Sequence, residues 1–298
     1  MEFRGEIHPD EINKKFPKQS ECYALNDHTK TFFINDRENP YSHPEDKPFA
    51  WIRGDQVGGR SLMWARQTYL WSDLDFEANK KDGHGVDWPI RYADIAPWYD
   101  YTEQFVGVSG SIENIPQLPD GPFQPPMEMN CVEKDVKDKI EATFEGRKMI
   151  IGRAAHLTEP PQEHLELGRG ACQNRAMCQR GCSFGAFFSS VSATLPAARR
   201  TGNLTLVSDS HVLSLVHDPE TGKATGVRAL NRVTKETTEY KARVVFLCAS
   251  ALASLHILMS SGSEDMPNGY ANSSGALGLG IKDHHSGAGE GGRHPGIE

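Results

Sequence analysis

Three of the six cysteines in this chain fall in one short run, Gly170-Ala-Cys172-Gln-Asn-Arg-Ala-Met-Cys178-Gln-Arg-Gly-Cys182-Ser-Phe-Gly185, spaced C-x5-C-x3-C. The run has no hydrophobic periodicity, so helix packing does not account for the spacing. It reads as a clip folded back around something soft. Arg169, Arg175 and Arg180 surround the thiols, and nearby positive charge lowers a thiol pKa toward the thiolate that binds metal. Three readings stand on spacing alone. Several thiolates on one short tether suit an iron–sulfur cluster, either a three-iron cluster or a four-iron cluster with one foreign ligand. A closed zinc site takes four N/S ligands, often from C-x2-C pairs, and neither pair here has that spacing. The third reading is a disulfide with a free thiol, or three inert thiols.

The chain of 298 residues is long enough for one large or two ordinary domains with a real core. A net charge of −8 without runs of like charge argues against nucleic-acid binding. No apolar run reaches the length that spans a bilayer, and the first residues carry neither an apolar h-region nor a twin arginine.

Residues 1–48 read as a polar, irregular lead-in. Next, an apolar approach runs into Gly58-Gly59 and then Ser61, and paired glycines let backbone approach a flat or charged ligand closely. Helices are expected over Ile95–Val106, with its aromatic stripe in the core, over Asn130–Phe144 with Val132, Val136, Ile140 and Phe144 on one face, and over Ser189–Thr201. Strands are expected at Lys148–Arg153, Leu204–Ser208, Val212–His217, Thr225–Arg232 and Thr237–Lys241, with a hairpin turn at Asp218–Gly222. Arg243–Ala249 reads as a buried strand that enters a helix at Ser250–Ser261, a place where phosphate-bearing cofactors are held. Gly287-Ala-Gly-Glu-Gly-Gly292 satisfies G-x-G-x-x-G, but no strand precedes it and no helix follows, so it is not a dinucleotide fingerprint.

Taken together, these pieces resemble the glucose–methanol–choline (GMC) oxidoreductase family, and within it the bacterial branch of sugar, gluconate and glucoside 3-dehydrogenase large subunits. Arg53-Gly-Asp-Gln-Val-Gly-Gly-Arg-Ser-Leu-Met-Trp64 is similar to the family's first signature. Asp87-Trp-Pro-Ile-Arg-Tyr-Ala-Asp-Ile-Ala-Pro-Trp-Tyr-Asp100 resembles the helix that follows it. Leu247–Leu258 with Leu277–His284 resembles the strand–helix beside the FAD adenosine and the run after it. Asp55 stands where the family has Lys or Arg, and Trp64 where it has Asn or His.

The resemblance implies an α/β (mixed α+β) architecture: a partial FAD-binding Rossmann-like fold with a β-meander and part of a substrate domain. The N-terminal glycine-fingerprint unit and the C-terminal half are expected to be lacking. Residues 49–298 would form the partial FAD-binding domain, with helical and Cys-rich insertions over about 86–190 and the start of the substrate domain over about 276–298. It implies FAD held by Arg53, Gly54, Val57, Gly58, Gly59, Ser61 and Leu62, with Val212 meeting adenine through its backbone and Ala249 and Ser250 near the adenosine. The His-His or His-Asn pair acting on the substrate hydroxyl would fall beyond Glu298, and His284 and His285 are not that pair. The resemblance favours a [3Fe-4S] cluster on Cys172, Cys178 and Cys182 that relays electrons from FAD to a cytochrome c partner. Oxidation of a CH–OH group in a sugar, glycoside or polyol is the implied reaction. An oxidase without a cluster, an electron-transfer module and a non-catalytic remnant are its rivals. Export with a twin-arginine small subunit to the periplasm and a cytoplasmic location both fit the sequence.

Overall fold

A computed structural model describes residues 9–175, 178 and 181–281. The chain is mixed α/β and divides into two compact units, parted between Leu204 and Thr205. The glycine-rich run at 287–292, His284 and His285 lie outside the described residues. No helix among the described residues is long and apolar enough to cross a membrane.

The first unit opens with α1 (Pro9–Lys15) and 3-10 turns at Gln19–Glu21 and Lys30–Phe32. Although irregular in path, this stretch is packed: Ala24, Phe33 and Met63 form a buried cluster, with Phe32, Ile52 and Leu62 against it. Helices α2 (Asp73–Phe76), α3 (Ala78–Asp82), α4 (Tyr92–Val106), α5 (Cys131–Thr143), α6 (Gln162–Glu166) and α7 (Thr194–Arg200) follow. Their starts obey local chemistry. The Ser72 hydroxyl accepts from Leu74 N while the Asp75 carboxylate accepts from Ser72 N, and Asn130 with Glu133 does the same for α5. Such boxes satisfy amides that a helix start leaves open.

The centre of this unit is an extended segment, Arg153–Leu157, in which Ala155 and Leu157 are fully buried. Its backbone bonds gather remote pieces of chain: Arg66 and Thr68, Ser109, Cys172, and Ala186 to Phe188. Each bond contributes about 1 kcal/mol net. Together they join segments that no local signal links.

Several expected elements differ. Helix α4 begins at Tyr92 rather than Ile95, and its aromatic stripe is not core, since Trp98 and Tyr101 are exposed while Glu103 is buried. The 3.6-residue period puts Ile95, Tyr99, Glu103 and Val106 on the inward face, with Tyr101 across the helix from it and Trp98 at its margin. Helix α5 forms, but Val132 and Phe144 on its apolar face remain exposed. Lys148–Arg153 forms no strand, and the nearest bridges stand just after it, at Ala154. The helix expected from Ser189 starts at Thr194, after a turn in which the Ser192 hydroxyl accepts from Ser189 N.

In the second unit, β1 (Ser210–His217), β2 (Ala224–Asn231) and β3 (Thr237–Lys241) form an antiparallel meander in that order. The first turn is the expected one. Asp218 accepts from Glu220 N at 2.9 Å and from the Thr221 hydroxyl at 2.9 Å, and Gly222 supplies the left-handed residue at φ 65°. Helix α8 (Ala251–Met259) is tied to β1 through Ser261, whose buried hydroxyl accepts from Leu215 N at 2.7 Å. Leu204–Ser208 forms no strand, and neither does Arg243–Ala249. Val244 and Phe246 of the latter run are 65% and 82% exposed. A strand that is apolar on both faces needs neighbours on both sides, and among the described residues none pairs with it.

Candidate active site

The glycine segment is a tight turn. Gly58 at φ 95° caps a 3-10 turn over Gly59–Leu62, and Gly59 follows at φ 51°. A Cβ on Gly58 would sit 2.7 Å from Val191 Cγ2, whereas one on Gly59 would meet nothing within 4 Å. The turn is therefore packed at the first glycine and open at the second. The Ser61 hydroxyl donates to Gly58 O and accepts from Ser190 N. Arg53 is engaged elsewhere, in an ion pair with Asp36 at 2.8 Å and over the rings of Tyr41 and Trp51. A side chain at Gly54 would press on Phe32 O at 2.7 Å, and Val57 is exposed.

Leu62 lines a cavity of about 140 Å³ together with Cys178, Cys182, His28, Ser189 and Arg66. The end of the glycine turn, at Leu62, and the cysteine loop thus face one space. Arg66, 3% exposed and at φ 63°, joins them. Its guanidinium donates to Ser61 O at 2.9 Å and to Trp64 O on one side, and to Phe188 O at 2.7 Å on the other, and it stacks 3.7 Å from the Phe187 ring centroid. Among the described residues it has no carboxylate partner. Burial lowers its pKa to about 10, and the nearby Cys178 and Cys182 work in the opposite direction. Arg169 is likewise buried among carbonyls, those of Gly185, Phe105 and Val106, and is lowered to about 10 by burial.

The cysteine loop is pinned at its base. Gly170 N donates to Phe184 O at 2.7 Å and Cys172 N to Leu157 O at 2.8 Å. All three thiols are free and partly buried. Cys178 Sγ stands 3.7 Å from His156 Nε2, and the His156 ring lies against Phe187 at 4.7 Å. Burial pushes the Cys178 thiol up, helped by Cys172 and Cys182, and Arg66 offsets only part of this. The expectation that surrounding arginines depress the thiol pKa is corrected at Cys178. Arg169 is turned into carbonyls and Arg175 bonds Ser183 at 3.0 Å, while Arg180 lies outside the described residues. His156 is pushed down by burial and then by Arg66. Among the described residues, no three His, Cys, Asp or Glu side chains stand as a group that could hold a metal ion.

Val212, Ala249 and Ser250 belong to the second unit. Val212 pairs with Ala229 just before a β-bulge. Ala249 is exposed, and Ser250 precedes α8 at φ 76°. A non-glycine residue there carries strain of about 1–3 kcal/mol. Arg66, His156 and His28 were not legible as site residues. A lone Arg or His carries no sequence signal, and Arg66 acts through a carbonyl 122 residues away.

The family model described as GMC oxidoreductase matches residues 41–286. The chain is 26% identical to paromamine 6'-oxidase of Streptomyces fradiae, over 86% of this chain and 45% of that protein. It is 25% identical to 2-methyl-1,2-propanediol dehydrogenase of Mycolicibacterium austroafricanum (81% and 43%). The fructose dehydrogenase large subunit of Gluconobacter japonicus is also 25% identical (76% and 41%). The chain spans less than half the length of these relatives. A match over most of its residues, with the glycine turn and the meander inside it, means that the chain belongs to the GMC oxidoreductase family.

Proposed function

We propose that this chain is the flavin-holding part of an FAD-dependent oxidoreductase that oxidises a CH–OH group of a sugar, glycoside or polyol. One observation carries the reading: Leu62, at the end of the glycine turn, and Cys178 and Cys182 of the cysteine loop line a single cavity, riveted by Arg66. Gly59 supports it, because its open side leaves backbone accessible to a flat ring system. FAD, when bound, supplies the hydride acceptor. In this reading Gly58, Gly59 and Leu62 form the backbone wall against the flavin, and Ser61 holds that wall to Ser190. Arg53 and Gly54 set the entry to the turn and Val57 its rim. By the family resemblance alone, Val212, Ala249 and Ser250 of the second unit would contact the adenosine.

The finer part of the proposal concerns the electrons. Cys172, Cys178 and Cys182 would ligate an iron–sulfur cluster that passes them to a cytochrome-type acceptor, with a small subunit as partner. Thiols are the donor type such a cluster takes, and three free ones lie on one loop beside the buried guanidinium groups of Arg66 and Arg169. A relative named as a dehydrogenase large subunit accords with this. An oxidase without a cluster is the second reading, favoured by the lack of three converged donors among the described residues and by a relative named as an oxidase.

Anaerobic purification followed by visible absorption, EPR and iron analysis separates the two, with Cys178→Ser as control. Flavin plus an iron signal abolished in Cys178→Ser is expected. Flavin without iron selects the oxidase, and absence of both cofactors overturns the proposal.

A further inference from the structure

Five acceptors surround the guanidinium of Arg169, which is 1% exposed. Its Nε donates to Gly185 O at 3.0 Å, Nη1 to Phe105 O at 3.4 Å, and Nη2 to Val106 O at 2.9 Å and to Ala186 O at 3.5 Å. The fifth partner is His164 Nδ1, 3.0 Å from Nη1. An arginine has five N–H donors, so each is matched. Four of the acceptors are carbonyls, which accept at every pH. The fifth is an imidazole nitrogen, which accepts only while it carries no proton. We propose that His164 is a pH-sensitive latch: neutral, it holds Arg169 between helix α4 and the cysteine loop, and protonated, it lets the root of that loop go.

The tautomer follows from the partners. A guanidinium only donates, so Nδ1 of His164 is the bare nitrogen. The Gln104 carbonyl only accepts, so Nε2, 3.0 Å from it, carries the hydrogen. Gln104, Phe105 and Val106 close α4, and the last carbonyls of a helix have no partner inside it. His164 and Arg169 together cap all three. Arg169 reaches at the same time to Gly185 and Ala186 on the returning leg of the loop. The outgoing leg starts beside it, where Gly170 N donates to Phe184 O at 2.7 Å. One neutral ring, 1% exposed, thus ties a helix end to both feet of the loop.

A proton on Nδ1 would set two donors and two positive charges face to face at 3.0 Å. The negative end of α4 would welcome a cation, but Arg169 already supplies one. Burial, and then the Arg169 charge, hold the His164 pKa below its ordinary 6.5, against the pull of the Gln104 carbonyl and of Glu163 on the same helix. Glu166, also on α6, is paired with Arg200 at 2.9 Å. The latch is therefore whole above pH 6.5 and is lost as pH falls through the lowered value of the folded state. It works with neither flavin nor metal.

The test uses the full chain with histidine labelled at the ring nitrogens, titrated by NMR from pH 8 to pH 5 alongside amide exchange corrected for its intrinsic pH dependence. His164→Asn, which keeps an amide oxygen and cannot titrate, assigns the His164 signals by their loss. At pH 8 the ring is expected to show hydrogen on Nε2 alone. Its protonation below pH 6.5 should coincide with a rise of about tenfold or more in exchange at Gly170 and Gly107, while Val227 of the meander stays unchanged. In His164→Asn the exchange at both glycines should stay level from pH 8 to pH 5. A hydrogen on Nδ1 at pH 8, or protonation that leaves Gly170 and Gly107 as slow as before, would overturn the latch. An acid response that persists in His164→Asn would assign it to another group, such as His156, and would overturn it as well. Should His164→Asn fail to fold by far-UV circular dichroism, the wild-type chain decides alone, by whether ring protonation and loop exchange move together.

Discussion

Glu103 sits on the inward face of α4, 2% exposed, with neither carboxylate oxygen hydrogen-bonded. Burial raises its pKa from 4.5 to about 7, against the pull of Arg153 and with the push of Asp100. Between those values the fold keeps a proton that the unfolded chain has released. Stability is therefore full below pH 4.5, falls as pH rises through the window and stays low above 7, a loss of up to roughly 3 kcal/mol. Glu103→Gln should flatten that slope and be the more stable form at pH 8, as read by denaturant midpoints at pH 5 and pH 8; equal slopes would acquit Glu103. The two site glycines offer a second contrast. Gly58→Ala meets both a left-handed φ and Val191 at 2.7 Å, while Gly59→Ala meets only the φ. Gly58→Ala should cost about 1–3 kcal/mol and Gly59→Ala nearer 1, with thermal melts as the measure. The glycine pair could be read in the sequence because its reason is local. Glu103 could not, because a carboxylate inside an aromatic stripe looks like a solvent-facing residue until the helix phase is known.

At the scale of elements, legibility followed the range of the interactions. The hairpin turn at Asp218–Gly222 was readable because Asp218 and Gly222 build it from their own side chain and backbone. The start of α5 was readable because its cap is contained in four residues. Arg243–Ala249 was misread because an apolar run predicts burial but cannot name the strand beside it. Phe246 at 82% exposure makes that run a sticky surface. Phe246→Glu should lower self-association in sedimentation velocity without shifting the melt; an unchanged distribution would mean the run is not the contact. Within the meander, a Cβ at Gly226 would stand 2.2 Å from Tyr240 O. Gly226→Ala should therefore release β3 from β2, seen as faster amide exchange at Val227 and Tyr240, which face each other in the register.

For the whole molecule, the family was legible because its motifs keep their order from Arg53 to Asp283, and the family match spans 41–286. The site's assembly was not, since it depends on Arg66, Ser109, Cys172 and Phe188 meeting on Arg153–Leu157. Amide exchange over the full chain should be slowest at Ala155, Leu157 and Phe188 and fastest across 243–249; the reverse order would remove Arg153–Leu157 from the centre of the first unit.

The pinned root of the cysteine loop has an evolutionary consequence. Because its two ends are fastened to each other and to Leu157, the closure entropy is settled at the root, and doubling the span between Cys172 and Cys182 would add only about 0.6 kcal/mol. The stretch behaves as an interchangeable cartridge: thiols can be gained, lost or respaced at its tip while the glycine turn behind it stays as it is. A single scaffold can then carry loops of different thiol content on one unchanged root.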